Sequence, residues 1–462
     1  MSSRIARIRA QLGRRSRQFR SLWAAEGPRG ITDRVRRVAA EWLAPKSVPM
    51  PVLTADVIAA DLSRPFTPAI PRLVPGEPVI ANWVIGPPGP RAGGYTTLFR
   101  AIRYLEGHGY VNRIYFYNVY RADHRYYESI VRNDYNFHGE VGSVDEGMED
   151  AHAVIATSWP TAYPVFNARC AGKRFYFVQD FEPCFYPAGA LSVLAENTYR
   201  MGFHGITIGT CFAEKLRTEF GMTVDSFDYG SDTSRYRRLP GAKRSGVVFY
   251  ARPEAPRRGV ELGLMAMELF AVRRPEIDIH FYGTRIERLP YRCIQHGRVT
   301  PDKLNKIYNQ CYAGLSLSMT NVSLVAYEML AAGCIPVVND SILIRTDMKT
   351  PYVRYAAPYP AALASELEAV VNTPDFESLS QAAAGSVRSI TWEAAGASVE
   401  AIFRRALEAA NSRAEQDSAA ARDRLLGCGE VLETAVHRPV RDKNSPVPRG
   451  PVGAPLGADE QD

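Results

Sequence analysis

A chain of 462 residues with 46% hydrophobic and 23% charged content has material for two or three packed domains, which excludes a disordered or fibrous protein. Seven cysteines are scattered at 170, 184, 211, 293, 311, 334 and 428 with no CxxC and no paired spacing; neither a zinc site nor a disulfide framework is suggested, and a reducing cytoplasm is the simplest setting. The net charge of +7 is local, because residues 1–44 hold eleven Arg against Glu26, Asp33 and Glu41 and leave the rest of the chain near neutral.

In that arm Ile5, Ile8, Leu12, Phe19, Leu22 and Trp23 recur at roughly helical spacing among the arginines, as suits a helix on an anionic membrane surface. A basic extension without a specific partner fits equally, and no nucleic-acid module accompanies it, so nucleic acid is not expected as a partner. No run approaches the ~18 apolar residues of a membrane span, and the N-terminus lacks the apolar stretch of a signal peptide. Prolines 45, 49, 51, 65, 68, 71, 75 and 78 then mark residues 45–78 as a linker, either extended or strapped over a domain.

The strand pattern from Val79 leads into Gly86-Pro-Pro-Gly89-Pro-Arg-Ala-Gly93-Gly94 and a helix over Thr96–Leu105, a strand–turn–helix unit that can accommodate phosphate and can equally be a plain turn. Further strands are expected at 113–119, 153–157 and 174–179, the rhythm of a parallel sheet whose ligands lie beyond the carboxyl ends of the strands. Attention therefore falls on Trp159 and on Gln179-Asp180-Phe181-Glu182, although Asp180 and Glu182 also suit turn and cap chemistry, and Trp159, Phe181 and Tyr186 also suit core packing. Asp232, in Tyr229-Gly-Ser-Asp-Thr-Ser-Arg-Tyr236, is equally a turn residue.

A second unit opens at Gly246-Val-Val-Phe-Tyr-Ala-Arg252, with Arg257 five residues on, followed by Arg258 and Gly259. One strand end and the next loop thus deliver two guanidiniums, which could hold a diphosphate without a metal or could be surface arginines. Helices over 260–273 and 301–310 and strands over 277–282 and 295–299 follow, and His280 and His296 read as structural. Leu315–Val338 then reads as strand, loop, helix and strand: Thr320-Asn-Val-Ser323 breaks the first strand, a helix runs to Ala332, and Gly333 stops it. The free amides of Ser323 and Leu324 at that helix start suit an anion, and Glu328, about one turn further, can accept hydroxyl hydrogen bonds. On spacing alone Glu328 is as readily a solvated helix position. Residues 377–410 are helical in pattern, and 411–462 turn charged and then Pro/Gly-rich, the composition of a disordered tail.

This last strand–loop–helix–strand segment resembles the nucleotide-binding motif of retaining GT-B-fold glycosyltransferases: a carboxylate, seven residues, and a second carboxylate ahead of a small-residue/Gly/Pro-Val-Val ending. Glu328 matches the second carboxylate, and Ala331, Gly333, Pro336, Val337 and Val338 match the ending. Thr320 stands in the place of the first. The variant TNxSLVxxEML, with the segment FYFVQDFEPCFYPAG, resembles in particular the WsaF-like rhamnosyltransferases of bacterial surface-glycan assembly, which lack that carboxylate too. Arg252 and Arg257 resemble the family's Arg and Lys, with Arg replacing Lys.

The resemblance implies an α/β GT-B fold: two Rossmann-like domains facing a cleft, an acceptor domain over 79–238 and a nucleotide-sugar domain over 239–375, with crossover helices over 376–410. It implies diphosphate binding by Gly93, Gly94, Arg252, Arg257, Ser323 and Leu324, a nucleoside contact from Glu328, catalytic charge stabilisation by Arg252 and Arg257, and acceptor-side roles for Trp159, Asp180 and Glu182. No Asp-x-Asp occurs, which fits a metal-independent site, and no cofactor is implied. The implied partners are a nucleotide-sugar donor, best dTDP-L-rhamnose, and a saccharide or lipid-linked acceptor, with a cytoplasmic or peripheral membrane location. A UDP or GDP sugar, or a non-catalytic relic of the fold, remains as the alternative.

Overall fold

The computed structural model describes residues 50–435 apart from Phe66, Arg91 and Ala92, together with positions between 27 and 43; side chains are described as far as residue 416. Most of the basic arm, and residues 436–462 of the tail, lie outside the described residues.

Two parallel sheets form the molecule. The first contains β1 (Val79–Ile85), β2 (Tyr110–Phe116), β3 (Glu140–Ser143), β4 (Ala153–Ala156), β5 (Lys173–Val178), β6 (His204–Ile208) and β7 (Val224–Phe227), ordered β3-β2-β1-β4-β5-β6-β7. The second contains β8 (Gly246–Ala251), β9 (Asp278–Gly283), β10 (Ile294–Gln295), β11 (Cys311–Leu315), β12 (Ile335–Asn339) and β13 (Arg354–Ala356), ordered β10-β9-β8-β11-β12-β13. Strands buried on both faces read as unbroken apolar runs, which is why the central ones were legible. The strands β3, β7 and β13 were not expected. They are short and sit at sheet edges with mixed burial, so they carry no such run.

Chain order reverses between β1 and β4 in one sheet and between β8 and β11 in the other. Each reversal opens a crevice at the carboxyl ends of its central strands. Leu315 pairs with Phe249 on one side and Val337 on the other, so Arg252 and Thr320 both lie a few residues beyond those ends.

The Pro-rich linker is a strap: Val52 is buried, Leu53 N–H donates to the Tyr117 hydroxyl (2.7 Å), that hydroxyl donates to Asp56 (2.6 Å), and Gly172 N–H donates to the Ala69 carbonyl (2.7 Å). The C-terminal helical stretch is two helices, Phe376–Ser386 and Trp392–Ala435, the second restarted by the Thr391 hydroxyl, which accepts from Ala394 N–H (3.1 Å). It does not stop at Ala410. Residues 411–435, expected in the tail, are rich in Ala, Arg, Glu and Leu and continue the helix. The helix crosses back onto the first domain, where Phe403 packs against Phe175 and Trp83 with ring centroids at 4.8 and 5.8 Å.

Candidate active site

At the second reversal the turn Pro256–Arg258 and the loop ahead of helix Leu324–Ala331 are tied together. Met319 N–H donates to the Arg257 carbonyl (2.9 Å), and Arg258 donates to Ser318 Oγ (2.9 Å) and Asn321 Oδ1 (3.3 Å). Ser318 is held in turn by reciprocal bonds with the Asn339 side chain (2.8 and 2.9 Å). Gly259 completes the turn at φ +55°, with Met319 where a Cβ would project. Arg258 is therefore committed to shaping the loop, a role not foreseen among the site residues, although its place beside Arg257 was the available signal. Burial pulls its pKa down, opposed first by the charge of Asp180. Arg252 is exposed, and its positive charge also bears on Arg258. Arg258 thus lies against the loop ahead of one helix start, with the charges of Arg257 and Arg252 bearing on it, and the N-cap Ser323 uses no side-chain cap and leaves the first amides free of one.

Glu328, half-buried in that helix, accepts a hydrogen bond from the Tyr308 hydroxyl (3.3 Å), which itself pairs with the Tyr282 hydroxyl (2.7 Å). Burial pushes its pKa up to about 7, with Tyr308 and Arg100 opposing. A solvated position would show neither feature. Arg100, on helix Gly93–Glu106 of the first domain, faces this carboxylate while paired to Asp232 (2.7 Å) and lying over the Trp392 ring (4.5 Å to its centroid). Arg100 escaped the sequence reading because a single basic residue on an amphipathic helix reads as solvated.

Across the cleft, Gly93 and Gly94 begin helix Gly93–Glu106, and a Cβ on Gly94 would rest in ordinary contact with the Gln179 side chain (3.7 Å). The loop before them is anchored by hydroxyl-to-carbonyl bonds from Tyr95 to Gly86 (2.9 Å) and from Tyr135 to Gly89 (2.6 Å). Asp180, two residues past β5, is buried and points at the second domain: its Oδ2 lies 3.2 Å from Arg257 Nε. Burial raises its pKa, opposed by Arg257 and by the Thr320 hydroxyl. Glu182 is buried and takes the Trp159 N–H (2.7 Å) at the start of helix Trp159–Asn167 and the Tyr176 hydroxyl (3.3 Å), so it serves a helix start. Burial lifts its pKa to about 8, with the Trp159 amide opposing and Asp180 adding to the rise. Trp159 is 1% exposed, edge-on to Tyr163 and Tyr186, and presents no open face. Of the three residues placed on the acceptor side, the structure brings only Asp180 to the cleft.

Among the described residues no group of three or more His, Cys, Asp or Glu is gathered as a metal site, and no helix is long and apolar enough to cross a membrane. Two Rossmann-like domains, ligand crevices at facing strand reversals and a returning C-terminal helix define the GT-B fold. Sucrose-phosphate synthase from Thermosynechococcus elongatus shares it, at a TM-score of 0.56 and 12% identity over 72% of this chain and 100% of that one. Anabaena HepE, solved in complex with UDP and glucose, shares it at 0.55 and 12% identity over 71% of this chain and 100% of that one. Residues 245–368 match the family model described as WsaF, C-terminal domain. O-antigen biosynthesis protein RfbC of Myxococcus xanthus is 33% identical over 250 residues, 52% of this chain. The matched region spans 20% of that relative's length.

Proposed function

We propose that the chain is a glycosyltransferase that moves a sugar from a nucleotide donor onto a saccharide or lipid-linked saccharide during surface-glycan synthesis. The observation that carries this reading is Arg258 bound to the loop ahead of an uncapped helix start, with the charges of Arg257 and Arg252 bearing on it, one turn from Glu328, whose pKa burial raises. Departure of a nucleoside diphosphate builds negative charge on its bridging oxygen. Arg252, Arg257 and the Ser323 and Leu324 amides stabilise that charge more in the transition state than in the bound donor, which is the condition for catalysis. Glu328 accepts hydroxyls of the nucleoside, oriented by Tyr308.

The donor we favour is dTDP-L-rhamnose, on the match of the second domain to the WsaF model, with retention of anomeric configuration by front-face attack. In that course the leaving phosphate helps take the acceptor proton, so no protein base is assigned, and the guanidiniums stand in for a metal. Relatives solved with UDP or named for O-antigen synthesis are consistent with a nucleotide donor and a glycan product. We place the enzyme on the cytoplasmic face of a membrane through residues 1–44; at the described positions of that arm Val35, Val38, Trp42 and Leu43 are exposed. Binding of the wild type, but not a variant lacking residues 1–44, to anionic vesicles is the expected sedimentation result.

Release of nucleoside diphosphate from dTDP-rhamnose, UDP-glucose and GDP-mannose tests the reaction. Turnover with one of them is expected, and Arg252→Ala or Arg257→Ala should each lower it about 10²–10³-fold, the usual loss for one charge-stabilising donor. Turnover unchanged in both variants overturns the assignment of the site. No turnover with any donor favours a relic of the fold, a reading kept open by the missing carboxylate at Thr320.

A further inference from the structure

Arg257 and Asp180 face each other across the cleft in an unusual contact. Nε of Arg257 lies 3.2 Å from the carboxylate, yet it is buried and misaligned for a hydrogen bond. What holds the guanidinium is charge and its seat over the Phe185 ring, 4.3 Å from the centroid. Arg258 beside it differs, because aligned bonds to Ser318 and Asn321 bind it to the loop. Arg257 is thus the cation that can be taken away. Asp180 Oδ1 already accepts from Phe181 N–H (2.9 Å), which leaves Oδ2 to Arg257, and Thr320, 6% exposed, sets its buried hydroxyl beside the same carboxylate without an aligned hydrogen bond.

A diphosphate at the helix start competes with Asp180 for Arg257 and wins on charge and on the number of acceptor oxygens it offers. Asp180 and Thr320 are then left buried with unspent hydrogen-bonding capacity, next to whatever is attached to that diphosphate, and such capacity is costly to leave empty. In a nucleotide sugar the attached group is the sugar.

We infer that Asp180 is a positioning residue for the donor sugar: it holds Arg257 in the empty site, releases it to the incoming diphosphate, and with Thr320 then binds sugar hydroxyls. The carboxylate moves from the acceptor side, where the sequence placed it, to the donor side. This rests on the glycosyltransferase reading above.

Titration of UDP and dTDP into wild type, Asp180→Asn and Thr320→Val, paired with steady-state turnover of UDP-glucose and dTDP-rhamnose, tests it. Asp180→Asn should bind the preferred diphosphate on the order of tenfold more tightly, since Arg257 is no longer held back, and should turn over the matching nucleotide sugar on the order of a hundredfold more slowly. A merely structural role would weaken both. Thr320→Val keeps the fold in play should the asparagine variant unfold: diphosphate affinity within about twofold of wild type, with donor KM raised about tenfold, is expected. Weaker diphosphate binding in Asp180→Asn, or unchanged donor kinetics in Thr320→Val, overturns the inference while leaving the enzyme reading standing. If wild type binds neither diphosphate, the enzyme reading itself fails and this inference falls with it.

Discussion

Two buried carboxylates illustrate how position decides what a residue does. Glu182, with its pKa lifted to about 8 by burial, holds its proton through most of the neutral range. Its folded value lies above the unfolded 4.5, so the folded state binds the extra proton; the stability this contributes is full below about pH 4.5 and is lost as pH rises through about 8. Glu182→Gln copies the neutral form and still accepts the Trp159 amide. Thermal unfolding followed between pH 5 and 9 should therefore show a decline in wild type that is reduced in the glutamine variant, whereas parallel curves would remove Glu182 as the cause. Spacing alone left Glu328 open as a solvated helix position and the resemblance singled it out, whereas Arg252 and Arg257 could be named because strand end and loop are local features. Asp180 was seen but its partner was not, since nothing local says that it meets Arg257 across a domain gap. Arg100 was invisible for the same reason.

At the scale of elements, the crossing helix Trp392–Ala435 closes the first domain, and its fit depends on one small residue. A Cβ on Gly396 would collide with the ring of Tyr104 on helix Gly93–Glu106, the helix that carries Arg100. Gly396→Val should cost about 1–3 kcal/mol, the usual penalty for overpacking, read as a shift of the denaturation midpoint at unchanged slope. An unaltered midpoint would show that the two helices can move apart freely. Long buried elements declared themselves in the sequence, while the return of the last helix to the first domain came from the family resemblance. Helix Trp159–Asn167 did not, because Pro160 and Pro164 look like breakers; Pro160 in fact occupies the first turn, where a missing N–H costs nothing, and Pro164 is carried by burial of its neighbours.

The whole molecule is two sheets that must agree on a cleft, and charged groups police the boundary. Asp347 of the second domain accepts from Thr210 N–H (2.8 Å), Thr210 Oγ1 (2.9 Å) and Cys211 N–H (3.2 Å), capping helix Thr210–Phe220 of the first domain in trans. Tyr229 stacks on Tyr327 close by, at 5.7 Å between centroids. Asp180 and Arg257 bridge at the site itself. On the inference above, a bound donor draws on the last of these bridges, because Arg257 faces both Asp180 and the proposed diphosphate position. The parallel α/β class was readable from the alternation of strands and helices and the two-domain arrangement from the family resemblance; the bridges were not readable, since they join residues more than seventy positions apart.

The central claim is that the arginine-lined helix start and Glu328 form a nucleoside diphosphate site. Thermal stabilisation by dTDP, UDP, GDP and ADP, compared between wild type and the Glu328→Ala and Arg252→Ala variants, tests it most directly, since a ligand bound only by the folded state raises its stability. One nucleotide, expected to be dTDP, should raise the wild-type midpoint and lose most of that effect in both variants. A midpoint unmoved by all four, or raised equally in the variants, would contradict the account.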